Sequence, residues 1–463
     1  MPAPVARACM RIVSYLVTNP ADLEIAQAAR AVADGELSPL ELTAACLERA
    51  SEIEPVVQAF VALDERARGQ ARLLTEELTS SGPRGPLHGI PLCIKDLVDV
   101  DGLPTTASSR VLEGNIATSD APVVARLRNA GAVIMGKTNT QEFAYGVVSA
   151  PTRNPWDHDR IPGGSSGGTA AAIAAGMSLG GVGTDTAGSI RIPASLCGIS
   201  GLKPRPGLVP VEGIIPLAPS LDACGPMARS VADLRLLLGA MAGSGHRLPE
   251  ARGLRVAVPG SPDLAGAGPV VTQTVDDAVA ALVDAGLRRV EVDLVAFAEW
   301  DRPRSIPLML EALEVHSTRG WYPQRAERYS EETLGSLRFA ERLTPERIEA
   351  GRSALPALIE NLEAVFERAD VLALPVTQVT APTVIEAGVR DDGHRTPVVR
   401  ALTRLCGPVN VCRLAAASVP CGFDGRGLPI GLQLVARDEA TLLAVGMLYQ
   451  SVTGWHDRRP PAG

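Results

Sequence analysis

Three short segments hold the residue types best suited to chemistry. The first is Pro162-Gly163-Gly164-Ser165-Ser166-Gly167-Gly168. Taken alone, a glycine–serine run is a flexible loop. Here it leads straight into the alanine-rich stretch Thr169–Ala175, which reads as a helix. Its backbone N–H groups then lie near a helix N-terminus, a place that suits an anion or an oxyanion. It lacks the Lys-Ser/Thr ending of a phosphate loop, so phosphate cradling is disfavoured. The second segment is Gly183-Thr184-Asp185-Thr186-Ala187-Gly188-Ser189-Ile190-Arg191-Ile192-Pro193. Small residues before Ser189 let the backbone turn tightly and aim successive N–H groups at one spot, as a tetrahedral oxyanion requires. The plainer alternative is a glycine-rich turn with a solvated serine. The third is Lys95, near the end of the apolar run Gly89–Asp96. A lysine at a strand end usually snorkels to the surface. If it is buried instead, desolvation lowers its pKa and the neutral amine can act as a base. Gly163–Gly167 also matches the GxSxG nucleophile elbow, but Asp157–Pro162 is too polar for the strand that motif needs, which weakens a Ser-His-Asp reading.

These segments need a scaffold, and the patterning predicts an α/β one. Apolar residues recur at helical spacing through Ile25–Val32, Leu40–Ile53 and Ala67–Leu78. Ser38-Pro39 supplies a cap and a first-turn proline for the second of these. Gly89–Asp96 reads as a buried strand, Asp120-Ala121-Pro122 opens a helix that closes near Gly131, and Ala132–Gly136 reads as the next strand. Strand, helix, strand at short intervals means α/β. Further on, the pattern predicts helices at Val231–Met241, Thr274–Ala285 and Thr441–Thr453. It predicts strands at Arg255–Val258, Val290–Leu294, Val371–Leu374, Ser418–Phe423 and Ile430–Val435. Residues 300–370 read as mostly helical and more polar, and Asp391–Arg395 as an exposed loop tip.

The chain has 463 residues, 46% hydrophobic and 21% charged, a globular balance. A net charge of −8 gives no footprint for nucleic acid and argues against an anionic membrane surface. No apolar run is long enough to span a bilayer. Met1–Val17 lacks a signal-peptide core and reads as an N-terminal extension. The eight cysteines form no CxxC pair, and the six histidines no zinc-like pattern, so neither a metal nor another cofactor is expected. Scattered cysteines in apolar company, without an export signal, point to reduced thiols in a cytoplasmic protein.

The three segments together resemble the amidase signature family. They stand in the family's order: the Gly-Ile-Pro…Lys-Asp strand, then Gly-Gly-Ser-Ser-Gly-Gly, then Gly-Thr-Asp-Thr-Ala-Gly-Ser-Ile-Arg. Ser165 follows Lys95 by 70 residues, and Ser189 follows Ser165 by 24. Other matching pieces are Gly136–Asn139, Arg153–Asp157, Leu221–Met227, Val419–Phe423 and Gly427–Gln433. The resemblance runs from about Asp22 to His456. It implies a large twisted mixed β-sheet with helices on both faces. Residues 1–21 would be the extension and 22–458 one amidase domain, with a helical part at 22–80, a catalytic core at 85–245 and a variable substrate-facing part at 295–370.

The resemblance also implies a role for each residue. Ser189 would be the nucleophile that forms an acyl-enzyme. Ser165 would relay the proton, with a cis bond at Gly164–Ser165, and Ser166 would support it. Neutral Lys95 would be the final base. The N–H groups of Thr186, Ala187, Gly188 and Ser189 would form the oxyanion hole. Asp185 and Arg191 would hold the loop in shape. Ala187 stands where glycine is common, at little cost if its φ stays negative.

The substrate would be a small-molecule amide, with a homodimer compatible and no direct contact with nucleic acid. One family branch, the A subunit of glutamyl-tRNA(Gln) amidotransferase, resembles this chain closely. It hydrolyses glutamine and passes ammonia to its partners in a complex, so such partners are expected only under that alternative. That branch grips glutamine with an Arg and an Asp. The matching places here are the uncharged stretch Thr333–Leu337 and Thr403. Losing one such pairing costs about 2–5 kcal/mol. The leading expectation is therefore a stand-alone amidase for a small carboxamide, with a biuret- or allophanate-type hydrolase as a narrower variant. Arg413, where the family has a small residue, reads as a surface arginine, with a cation near the pocket as the alternative.

Overall fold

A computed structural model describes residues 19–245, 247–260, 264, 266–388 and 397–461. The N-terminal stretch Met1–Val17 and the loop tip Asp391–Arg395 lie outside these residues.

The frame is one sheet of eleven strands. In chain order they are β1 (Phe60–Leu63), β2 (Pro91–Lys95), β3 (Val133–Thr138), β4 (Gly180–Asp185), β5 (Ser200–Lys203), β6 (Ala223–Ala228), β7 (Arg255–Pro259), β8 (Arg288–Val292), β9 (Val371–Pro375), β10 (Ala415–Phe423) and β11 (Pro429–Ala436). In space they run β1-β3-β2-β4-β6-β5-β10-β11-β9-β7-β8. The sheet is mixed in an ordered way. β3, β2 and β4 are parallel to one another, as are β9, β7 and β8, while the strands between these groups pair antiparallel. Helices cover the faces. This is the mixed α/β sheet that the sequence pattern and the resemblance imply.

The predicted helices form as Ile25–Ala33, Pro39–Val57 and Ala67–Ser81. Ser38 caps the second as expected: its side chain accepts from the Glu41 N–H at 3.1 Å, and Glu41 accepts from the Ser38 N–H at 2.8 Å. Residues 300–370 contain the helices Ser305–Thr318, Glu331–Glu341 and Pro345–Glu363. No helix among the described residues is long and apolar enough to cross a membrane.

Four strands escape the sequence pattern: β1, β4, β5 and β6. β4 reads Gly-Gly-Val-Gly-Thr-Asp, poor in the residues that favour strands. Its glycines answer to packing. A Cβ on Gly181 would stand 2.6 Å from the Cys93 carbonyl oxygen, and one on Gly183 would stand 2.8 Å from Met227 Sδ. β6 carries Pro226 in a central position, which argues against a strand in any sequence-based reading. Its ladder with β5 stops at Met227, so Pro226 stands just past it.

Strand alternation decides which side chains meet. In β2, Leu92 and Ile94 join the main apolar core, whereas Cys93 packs in the cluster of Ala170, Ala171 and Ile190 on the other face. Lys95 shares the parity of Cys93. It therefore emerges on the face that carries the helix Gly167–Ala174 and the serine loop before it.

Candidate active site

β2 and β4 run parallel as neighbours, so Lys95 and the turn after Asp185 leave the sheet at the same edge. Ligand sites in α/β sheets form at the carboxyl ends of strands. The loop 163–166 arrives there just ahead of its helix. The result is a buried cluster: Lys95, Ser165 and Ser166 are fully buried, and Ser189 is 5% exposed.

Lys95 Nζ donates to Ser165 Oγ at 2.7 Å and to Thr184 Oγ1 at 2.8 Å. Burial pushes its pKa down from 10.5 to about 7, against the pull of Asp185 and Asp222. The snorkelling alternative is thus excluded, and a neutral amine is accessible near neutral pH.

Ser165 is held from behind. Its carbonyl accepts from the Gln141 N–H at 3.1 Å, Thr140 Oγ1 at 2.8 Å and Ser149 Oγ at 3.1 Å. The Gly164–Ser165 peptide is cis. Only glycine fits at 164, since a Cβ there would lie 2.6 Å from Ser149 Oγ. Ser166 joins the two loops: its N–H donates to the Ser189 carbonyl at 3.1 Å and its Oγ to the Thr184 carbonyl at 3.2 Å. The Ser189 Oγ makes no hydrogen bond among the described residues. Catalytic hydrogen bonds are often long without substrate and tighten when it binds.

The turn at 185–191 is built on a buried ion pair. Arg191 Nη2 and Nε donate to Asp185 at 2.9 and 3.0 Å, and the same carboxylate accepts from the Gly188 N–H at 2.8 Å. Burial would raise the Asp185 pKa, but the Arg191 guanidinium outweighs it and holds the carboxyl below its usual range. Arg191 also donates to Gln433 Oε1 and Asn410 Oδ1, both at 2.6 Å. Arg191→Met should therefore destabilise the protein by about 3–5 kcal/mol, because it strands a buried carboxylate. Urea unfolding measures this, and a loss below about 1 kcal/mol would show that the pair does not hold the turn.

The oxyanion donors need one correction. The Gly188 N–H is spent on Asp185, which leaves the N–H groups of Thr186, Ala187 and Ser189 without an acceptor among the described residues. Gly188 itself has φ of 120°, where a side chain would be strained. Ala187 keeps a negative φ, so its departure from glycine costs little. A second correction concerns the helix start. The Gly168 N–H donates to the Asn139 carbonyl at 3.1 Å, so that one donor of the helix start is not available to an anion.

Four residues in the site carried no expectation of a role. Thr184 holds Lys95. Asn410 and Gln433 brace Arg191. Asp222 clamps the start of the 185–191 turn: it accepts from Thr186 Oγ1 at 2.5 Å and from the Leu217 and Ala218 N–H groups at 2.9 and 3.2 Å. Burial pushes the Asp222 carboxyl up to about 6. Asp222 and Gln433 do lie inside family-like segments, but only their contacts reveal what they do.

The charges around the pocket settle as follows. Thr403 Oγ1 accepts from the buried Arg304 Nη2 at 3.0 Å, where the amidotransferase branch would place an Asp. Thr333 and Leu337 are buried within their helix. Arg404 is paired with Asp301 at 2.6 Å, and Arg338 is exposed. Arg413 is exposed and donates to the Ser220 carbonyl at 3.1 Å, so it is the surface arginine expected. The lobe at 305–341 lies against the site: Ile306 and Leu337 pack with Phe143 and Leu217, and Gln141 Nε2 donates to Glu332 Oε2 at 2.9 Å.

The chain belongs to the amidase family, whose profile it matches over residues 41–443, and is by that membership an amide hydrolase. It is 39% identical to the A subunit of glutamyl-tRNA(Gln) amidotransferase from Roseiflexus castenholzii, an alignment covering 95% of this chain and 97% of that protein. Among solved structures it is similar to an amidase at 32% identity and TM-score 0.84, covering 93% of this chain and all of the other. It also resembles a 6-aminohexanoate cyclic dimer hydrolase at 29% identity and TM-score 0.85, covering 95% and 99%.

Proposed function

We propose that this amidase works as a stand-alone enzyme, splitting a small carboxamide into a carboxylate and ammonia or an amine through an acyl-enzyme on Ser189. The observation that carries this reading is the buried Lys95 Nζ, 2.7 Å from Ser165 Oγ and with its pKa lowered to about 7. Neutral Lys95 takes a proton from Ser165, which takes one from Ser189 as its Oγ attacks the carbonyl carbon. The Thr186, Ala187 and Ser189 N–H groups face the oxyanion, each donor being worth roughly 3 kcal/mol of barrier. Lys95 then returns the proton through Ser165 to the departing nitrogen. Water, deprotonated along the same relay, releases the carboxylate.

A second reading draws on the likeness to the A subunit of the amidotransferase: the chain would hydrolyse glutamine within a complex. Against it stand Thr403 and the uncharged 333–337 stretch. Ammonia and amine release by the purified chain separates the two. The panel is glutamine, asparagine, aliphatic and aryl amides, and biuret. We expect turnover of a neutral amide without any partner, and glutamine to be poor. Turnover of glutamine alone, and only beside a co-purifying partner protein, would overturn the stand-alone reading. The buried free cysteines fit a reducing cytoplasm.

A further inference from the structure

Beside the Lys95 cluster lies a cavity of about 460 Å3, counting its share of open solvent. Two of its lining residues belong to the cluster. Thr184 takes the hydrogen bond of Lys95, and Thr186 opens the oxyanion turn. Among the described residues the cavity's lining includes Thr184 and Thr186 but not Gly188 or Ile192, farther along the same turn, nor Cys406. The free space therefore borders the site on the lysine side.

Its walls are apolar: Leu97, Ile214, Ile215 and Leu217 line it, and Val211, 45% exposed, stands at the rim. Among the described residues no lysine or arginine lines it. Asp222, the one carboxylate in that described lining, already accepts from Thr186, Leu217 and Ala218. An acidic group entering here would meet a like charge and no cation. An apolar group would gain by leaving water.

The proton that Lys95 returns goes to the departing nitrogen, so what that nitrogen carries lies on the lysine side. We propose that the cavity seats a small, uncharged, apolar substituent on the leaving nitrogen, so that the substrates are N-alkyl or N-aryl amides and the second product is a primary amine. This rests on the Ser189 reading above. The step balances: the Ser189 Oγ–carbon bond forms and the carbon–nitrogen bond breaks. The serine proton passes through Ser165 and Lys95 to the nitrogen, and water later restores the serine and frees the acid.

The test holds the acyl group constant and varies the amine: acetamide, N-propylacetamide, acetanilide and N-acetyl-β-alanine, with the full chain and product amine quantified. We expect kcat/KM for the propyl or phenyl amide to exceed that for acetamide by about tenfold or more, the scale of a filled apolar pocket. The N-acetyl-β-alanine value should fall below that of the propyl amide. Val211→Trp narrows the rim from an exposed position, and Ile215→Trp fills the wall. Either should lower the ratio of acetanilide to acetamide turnover by about tenfold. Acetamide preferred throughout, or a ratio unmoved in both variants with native circular dichroism, would overturn the inference. Such a result with activity still lost in Ser189→Ala would leave the nucleophile reading standing. Activity surviving Ser189→Ala would remove both.

Discussion

Ser189→Ala should lower kcat/KM on every amide the protein turns over by about 10⁴-fold or more, the scale seen when an acyl-forming serine is deleted. The fold should survive, because the contact Ser189 makes in the cluster is through its backbone. Its carbonyl accepts from the Ser166 N–H at 3.1 Å, and the substitution leaves that bond in place. Ser165→Ala should also be severe, but through the relay: it removes the 2.7 Å partner of Lys95 while leaving the nucleophile. Burst kinetics separate the two variants. A residual acyl-enzyme signal is expected in Ser165→Ala and none in Ser189→Ala. Activity of Ser189→Ala within tenfold of wild type would refute the mechanism (about 1.4 kcal/mol of barrier).

The second large effect concerns Lys95. The relay requires the neutral amine, so kcat/KM should rise with pH and level off above an apparent pKa near 7, the value to which burial brings Lys95. Lys95→Met should cost about 10³-fold or more and abolish that acidic limb. The same substitution should alter stability in the opposite sense. Lys95 has a folded pKa below its unfolded value of 10.5, so between about 7 and 10.5 the unfolded chain binds more protons, and stability rises with pH. Below pH 7 the wild type carries the full cost of burying this amine. Lys95→Met should therefore gain in melting temperature over wild type most below pH 7, with the gain shrinking towards pH 10. A pH-independent difference between the two melting curves would show that the buried amine is not the titrating group. Loss of function with a gain in stability is the expected trade at such a site.

Much of the site is legible in the residues themselves. Lys95, Ser165 and Ser189 stand out by type, spacing and the small residues around them. The structure gathers Lys95 and Ser165 into direct contact and brings Ser189 to the same loop junction. The oxyanion turn reads in sequence with one donor too many, because the Asp185 carboxylate that claims the Gly188 N–H is a contact the sequence does not display. Asp222, Asn410 and Gln433 stand far along the chain from the turn they brace, and nothing in their neighbours' periodicity points to it. Asp222 reaches Thr186 across 36 residues, and Asn410 reaches Arg191 across 219.

The sheet divides in the same way. Helices with apolar stripes and strands rich in valine and leucine are readable locally, since burial on one face imposes a period. β4 and β6 are not. Their glycines and proline contradict strand propensity; the glycines stand where neighbouring segments leave no room for a Cβ, and pairing with each other across the sheet makes these segments strands. The sequence by itself determined the family, since three short motifs in order carry it, and they hold the groups proposed to move a proton and an acyl chain. Only the tertiary structure decided that Lys95 is buried, with its pKa brought down to about 7, and that a largely apolar cavity lies beside its cluster. Desolvation and shape arise from residues brought together out of distant segments, and no local pattern records them.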